Sequence, residues 1–385
     1  MKGEFCMRIV RIEASVVQVE LIKPYVTADS RKQGMTEKHS VVLRMFTDDG
    51  LCGIGESDPS PTFSPESPES VMQVIRHHTG PAVLGMAPDN LVALHVKMDS
   101  VVLDCPFAKA AIDVAAHDLL GQALGVPVYQ LLGGQVRDQV PMIWPIGSGT
   151  PEDNAREAVT KVEEGYGSLH IKFGALGPEE DVARVKAIRE AVGKDIPIMV
   201  DVNQGWDLST AIRTIRRLEE FDLRIVEQPV PAWDLESMAK IQASVDLPIS
   251  ADESLYSPHR AMELVRRDAA RVFSLKTGKC GGLFRTRQIA AIAEAAGLPC
   301  FVNSMIEMGI SVAASLHLAA SIPNLVEHGH ALMSNLRIKD DILLPDSFRY
   351  EGRNILIPEK CKGLGIRLDE EKLERRTLDR FVLEI

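Results

Sequence analysis

Residues 196–229, "IPIMVDVNQGWDLSTAIRTIRRLEEFDLRIVEQP", decide the fold. The stretch opens on an apolar run, Ile196 to Val200, that ends in Asp201. It closes on a second run, Leu223 to Val226, that ends in Glu227. Short continuous apolar runs suit strands buried on both faces. Between them, "LSTAIRTIRRLEEF" spaces its apolar residues as one face of a helix. A connection this long cannot be a hairpin, so the two strands are parallel and joined by a helical crossover.

The same unit recurs on either side. Strand candidates are "VPMIWPI", "SLHIKF", "IPIMVDV", "RIVEQP", "PISADE", "RVFSLK", "PCFVNS" and "LVEHG", with helices such as "EDVARVKAIREAV" and "LFRTRQIAAIAEAAG" between them. Eight short strands with seven crossovers fit a closed α/β barrel better than an open doubly wound sheet. The barrel is expected over residues 136–335. Residues 1–135 read differently, alternating apolar and polar through "RIVRIEASVVQVEL" and "HSVVLRMFTDDGLCGIGES" before turning helical through "FAKAAIDVAAHDLLGQALG". They predict an α+β domain. Residues 336–385 are too apolar to stay free and too short to fold alone, so they are expected to pack back on that first domain.

Composition excludes several functions. The 385-residue chain is 45% apolar and 25% charged, with a net charge of -11. No Lys/Arg block is long enough to track a phosphate backbone, which argues against nucleic acid. No apolar run reaches 18 residues and "MKGEFCMRIV" is too short in apolar residues for a signal peptide, so no membrane role is expected. The six cysteines are scattered without a CxxC pair, which points to a reducing compartment, the cytoplasm, with neither a zinc site nor disulfides. A small-molecule function remains.

Charged residues recur at the strand ends: Lys172, Asp201, Glu227, Asp252 and Lys276, separated by 29, 26, 25 and 24 residues. Each interval is about one βα unit, so all five should meet at the C-terminal rim, where barrels place their active sites. One strand-terminal Asp is most often a helix N-cap. Three carboxylates on successive strands repel one another and call for a cation, and oxygen-only ligands suit a hard ion such as Mg²⁺. Lys172 and Lys276 flank the trio on opposite sides of the rim. Burial and cationic charge, including the metal's, are expected to lower their pKa into the range of a general base. Two bases facing one metal-bound carboxylate substrate suggest removal of a proton from carbon to give an enediolate whose charge the metal stabilises.

An ordered set of segments carries a resemblance: "GLCGIGES", "AAIDVAAHDLLGQALGVPVYQLLGG", "VDVNQGW", "VEQP", "ISADES", "LKTGKCGGLFRTRQIAAIAEAAG", "SMIEMGISVAASLHLAA" and "KGLGIRLDEEKL". Together they resemble the enolase superfamily, and within it the muconate-lactonizing-enzyme-like subgroup of the mandelate racemase/muconate lactonizing enzyme family. The resemblance implies a modified TIM barrel, (β/α)7β, under an α+β cap. It makes Asp201, Glu227 and Asp252 the Mg²⁺ ligands and Lys172 and Lys276 the acid/base pair. Asn203 and Glu253 fall in supporting motif positions. Glu307 matches an acidic position near the substrate, with a carboxylate at a helix N-terminus as the alternative. A homo-oligomer is also implied.

The chain departs from its subgroup at one point, carrying His170-Ile171-Lys172 where Lys-x-Lys is usual. A histidine's charge is conditional near neutrality, so His170 is expected to orient substrate or to tune Lys172 less strongly than a lysine. Superfamily members share the proton abstraction but differ in the fate of the enediolate, so racemisation or epimerisation, β-elimination of water and cycloisomerisation all stay open, as does an inactive binding relative. Specificity is expected from the cap loops "KPYVTADSRKQG" and "SDPSPTFSPES", with Tyr25, Phe63 and Trp144 as candidate pocket walls. Tyr25 and Trp144 together could face a cationic, amino-acid-type substrate. The segment "VEHGHAL" lacks the Asp-x-Asp of the subgroup's dipeptide epimerases, which counts against a dipeptide.

Overall fold

The computed structural model describes residues 7–28 and 34–385. Part of the first expected cap loop, residues 29–33, lies outside them, as does Cys6.

Seven parallel strands form one sheet in the order Cys300–Val302, Val272–Leu275, Ile249–Ala251, Leu223–Glu227, Ile198–Asp201, Leu169–Lys172 and Trp144–Ile146. Helices Pro151–Glu163, Pro178–Val192, Leu208–Leu218, Leu235–Gln242, Pro258–Arg267, Leu283–Ala295 and Gly309–Ser321 alternate with them. The strands are almost wholly buried, as their Ile/Val-rich runs require.

Two sequence expectations are corrected in detail. "VPMIWPI" is not one strand: Gln139–Pro141 pairs antiparallel with Asn354–Leu356, and only Trp144–Ile146 joins the barrel. The chain changes partner at Met142 and Ile143, whose N–H groups donate to Arg353 O and His330 O. "LVEHG" is not a regular strand either. It closes the barrel through single parallel bridges, Cys300 to Leu325 and Met142 to His330, one to each sheet edge. His330 stays neutral there, its pKa pushed down to about 3 chiefly by burial, so that Nδ1 can accept from Val302 N at 3.0 Å.

The cap is a four-stranded antiparallel sheet in the order Thr377–Glu384, Ile9–Tyr25, Met35–Thr47, Cys52–Ser57. The C-terminal strand thus completes the N-terminal sheet, Arg380 opposite Ser15. The Gly-x-Gly of "GLCGIGES" has a steric cause: a Cβ on Gly53 or Gly55 would overlap the carbonyls of Ala115 and Ala111 on helix Pro106–Leu124. Cap and barrel are joined by carboxylates. Helices Leu283–Ala295 and Gly309–Ser321 have no side-chain cap of their own. Asp113 from the cap accepts from Leu283 N at 2.5 Å, and Glu56 accepts from Met308 N at 2.7 Å and Ser311 N at 2.8 Å. Each satisfies backbone donors that a helix start leaves open. No helix among the described residues is long and apolar enough to cross a membrane, and the five described cysteines are free.

Candidate active site

The register of the sheet assembles the site. Lys172 lies opposite Asp201, Asp201 opposite Glu227, and Glu227 opposite Ser250, two residues before Asp252. Lys276 directly follows strand Val272–Leu275. All five side chains therefore meet at one rim, and Asp201, Glu227, Asp252 and Lys276 are buried. The strands of Lys172 and Lys276 are second and sixth in an eight-membered ring, so the two lysines face each other across the barrel.

Positive and negative groups pair off within the rim. Lys172 Nζ donates to Asp201 Oδ2. Lys276 Nζ donates to Asp252 Oδ2 at 2.6 Å, and Lys279 Nζ holds the other oxygen, Oδ1, at 2.7 Å. Glu227 Oε1 accepts from Asn303 Nδ2 at 2.9 Å. The pairing sets the pKa directions. Burial pulls Lys172 down, but the Asp201 carboxylate, with Tyr25 and Glu227, outweighs it and raises the pKa. Lys276 is raised in the same way, Asp252 and Glu227 outweighing burial. Among the protein's own groups the adjacent carboxylates therefore outweigh the desolvation cost at both lysines, whereas the lowering expected of them counted the charge of a bound metal as well. Burial in turn raises Asp201, with Lys172 opposing it. Glu227 goes the other way, because His170, Lys276 and Lys172 overcome its burial and hold it well below the usual carboxylate range.

Among the described residues one group of ligand-type atoms converges, from His170, Asp201 and Glu227, all within 4.8 Å of one another. Asp252, the third carboxylate expected, is not in this group; its two oxygens accept from Lys276 and Lys279. The donor set suits a hard cation. Glu227 Oε2 and Asn203 Oδ1 are buried acceptors without a hydrogen-bond donor, a costly arrangement that a divalent ion would relieve. Glu227 Oε2 lies 3.2 Å from His170 Nε2 without hydrogen-bond alignment. Three residues around the rim also hold positive φ, Asn203 at 45°, Gln228 at 35° and Ile306 at 60°, the kind of backbone strain that gathers at functional sites.

A cavity opens above the rim, lined by Lys172, Lys276, His170 and Asn203 below and by cap residues above. Tyr25 and Phe63 line it as expected, Phe63 with its ring centroid 4.2 Å from Lys276 Nζ. Trp144 does not line it. Its indole Nε1 donates to Glu157 Oε1 at 2.9 Å and its ring carries Lys161 Nζ at 4.1 Å. The face of Tyr25 is likewise taken by the chain's own Arg337, with Cζ 3.8 Å from the ring centroid. Arg337 Cζ is also 5.9 Å from the Trp144 ring centroid, so the joint cationic face expected of these two rings is taken by the chain's own guanidinium. Glu253 sits behind the rim, accepting from Asn203 Nδ2 at 3.2 Å. Glu307 is buried beside the cavity without lining it. Its Oε2 accepts from Ser304 Oγ at 2.6 Å and Met305 N at 2.8 Å, so it shapes the loop, while Glu56 takes the helix N-terminus.

Four residues escaped sequence reasoning. Lys279 clamps Asp252, and "LKTGK" offered the signal of a second lysine three residues on. Gln228 Oε1 accepts from Asp252 N at 3.0 Å and from Ser254 Oγ at 2.9 Å, fixing the next strand end. Arg184, fully buried, donates to Lys172 O at 2.7 Å, Gly147 O at 3.0 Å and Asp181 Oδ1 at 2.9 Å, tying the first two strand ends together. Arg337 comes from a distant segment and had no signal.

Comparison with known proteins agrees with this geometry. The family model for the mandelate racemase/muconate lactonizing enzyme N-terminal domain matches residues 11–133, and the enolase C-terminal domain-like model matches residues 153–372. Muconate cycloisomerase 1 of Rhodococcus opacus is 36% identical over 374 residues, covering 96% of this chain and 99% of that protein. The N-succinyl-L-Arg/Lys racemase of Bacillus cereus is 36% identical over 375 residues, 97% of this chain and 98% of that protein. The crystal structure of that racemase superposes with a TM-score of 0.93 over 98% of this chain and 100% of its own. A dipeptide epimerase from Enterococcus faecalis, solved with Mg and the dipeptide L-Leu-L-Tyr, superposes with a TM-score of 0.87 at 34% identity, over 94% of this chain and 99% of its own. With both halves matched and whole lengths shared, the chain belongs to the enolase superfamily, in the mandelate racemase/muconate lactonizing enzyme family, and is one of its enzymes.

Proposed function

We propose that this enzyme removes the α-proton of a small carboxylate substrate, using Lys172 and Lys276 as acid and base on opposite faces, and yields a racemised or epimerised product or one that has lost water. The observation that carries the reading is the diametric placement of two lysines, Lys276 buried and Lys172 largely so, each seated on its own carboxylate and both lining one cavity. A proton taken by one lysine and returned by the other inverts the carbon. A proton delivered instead to a β-hydroxyl expels water. Asp201, Glu227 and Asp252 would hold Mg²⁺, with His170 close to the first two. When bound, the ion supplies stabilisation of the negative charge that develops on the substrate carboxylate. Asn203 and Glu253 support the ligands from behind, and Lys279 restrains Asp252.

The 36% identical muconate cycloisomerase favours a second reading, cycloisomerisation of the muconate type. A homo-oligomer in the cytoplasm completes the proposal, supported by the free cysteines and by the family resemblance.

The test is α-proton exchange in D₂O, followed by NMR over amino-acid, N-acyl amino-acid, hydroxy-acid and sugar-acid substrates with Mg²⁺ present. Exchange should fall by about 10²–10⁴-fold in Lys172→Ala or Lys276→Ala and disappear with EDTA. Consumption of muconate without exchange on any other acid would select the second reading. Silence with every carboxylate would overturn both.

A further inference from the structure

We infer that Arg337 binds a second anionic group of the substrate, so that the enzyme acts on acids carrying a second carboxylate at the far end from the reacting carbon. This rests on the reading above and adds the substrate class.

Arg337 is a built part of the cavity wall. Ile338 bridges Leu21 of the cap strand, and Lys339 N donates to Glu20 O at 2.9 Å, so the segment is fixed to the cap by its backbone. The guanidinium lies over the ring of Tyr25, with Cζ 3.8 Å from its centroid, and Tyr25 lines the same cavity as Lys172. Tyr25 thus joins Arg337 to the cavity that Lys172 and Lys276 line.

Charge accounting singles this arginine out. The cavity lining contains Lys172, Lys276 and Arg337 and, among the described residues, no carboxylate. The lysines have carboxylates behind them, Asp201 and Asp252. Among the described residues Arg337 has no carboxylate within 4.0 Å and no hydrogen-bond acceptor. A guanidinium cannot shed its proton and presents N–H donors around its edge in a fork that matches a carboxylate. With its face on Tyr25, that edge is what remains to offer. The lining also includes the apolar Met35, Met305, Ile306 and Met333 beside the hydroxyls of Ser60 and Thr62, surfaces that can take a hydrocarbon spacer. A half-buried guanidinium meeting a carboxylate makes a charge-assisted pair, stronger than a neutral hydrogen bond.

The probe is a matched pair of N-acyl amino acids: the N-succinyl compound, and its counterpart with the terminal carboxylate replaced by a neutral amide. In the Mg²⁺-loaded wild type, exchange on the succinyl compound should exceed that on the amide by roughly 10- to 100-fold in kcat/KM, carried mainly by KM. In Arg337→Met the preference should collapse to within about threefold, and in Arg337→Glu it should invert, because charge reversal repels the dianion. A wild type that exchanges both compounds equally, or only acids with a single anionic group, overturns this inference and leaves the proton-abstraction reading standing. Variants that slow both compounds alike, keeping the preference, also overturn it, since packing on Tyr25 would then be the arginine's whole role. No exchange on any carboxylate is the separate failure of the reading beneath it.

Discussion

The floor and the roof of the cavity are built on different terms. At the floor, Asp201, Glu227, Asp252 and Lys276 are buried, and all but one of their carboxylate oxygens, Glu227 Oε2, accept a hydrogen bond from a neighbouring residue. At the roof, Tyr25, Phe63 and Arg337 touch one another or the floor through ring faces, with apolar neighbours and few hydrogen bonds. A dense polar network fixes side-chain positions because every partner lost leaves a buried group unsatisfied. Ring contacts constrain less and can be exchanged at lower cost. On the proposed reading, the proton chemistry belongs to this rigid floor and the choice of substrate to the roof.

The largest expected effect breaks the floor. Arg184→Met removes the guanidinium that holds Lys172 O and Gly147 O and leaves Asp181 buried without its partner. The variant should lose about 3–5 kcal/mol of stability, read from urea unfolding. A loss below about 1 kcal/mol would show that the floor does not depend on this network.

An intermediate effect sharpens the comparison within the floor. His170→Lys installs a permanent cation beside Glu227, in reach of Lys172. A neighbouring positive charge favours neutral Lys172, so its pKa should fall by about one unit and the rising limb of the pH–rate profile should move to lower pH. Rate and profile both unchanged would dismiss a tuning role for His170.

The smallest effect lies at the roof. Phe63→Leu removes the ring over Lys276, a contact that stabilises the charged lysine by about 0.5–1 kcal/mol. The apparent pKa of Lys276 should drop by less than one unit, with KM raised severalfold and kcat nearly kept. A collapse of kcat would place Phe63 with the floor.

Much of the floor was legible in the chain. A strand that ends in a charged residue every 24 to 29 positions can only present those residues together once the strands are parallel and the sheet curls shut. The cap sheet was visible from its alternation. What misled was local reading of termini and charges. "VPMIWPI" looks like one strand because periodicity does not show a change of partner at Met142. A sequence likewise shows burial but not which carboxylate sits against each Nζ, Asp201 at Lys172 and Asp252 at Lys276.

The sequence by itself determined the barrel and the order of the five ionisable strand ends, because both follow from residue type and spacing along the chain. The tertiary structure alone decided the ion pairing and the wall of the cavity. Arg337 meets Tyr25 across more than 300 residues of chain, and Lys279 reaches Asp252 rather than solvent. Such contacts depend on how distant segments close in space, and neither periodicity nor motif spacing records that distance.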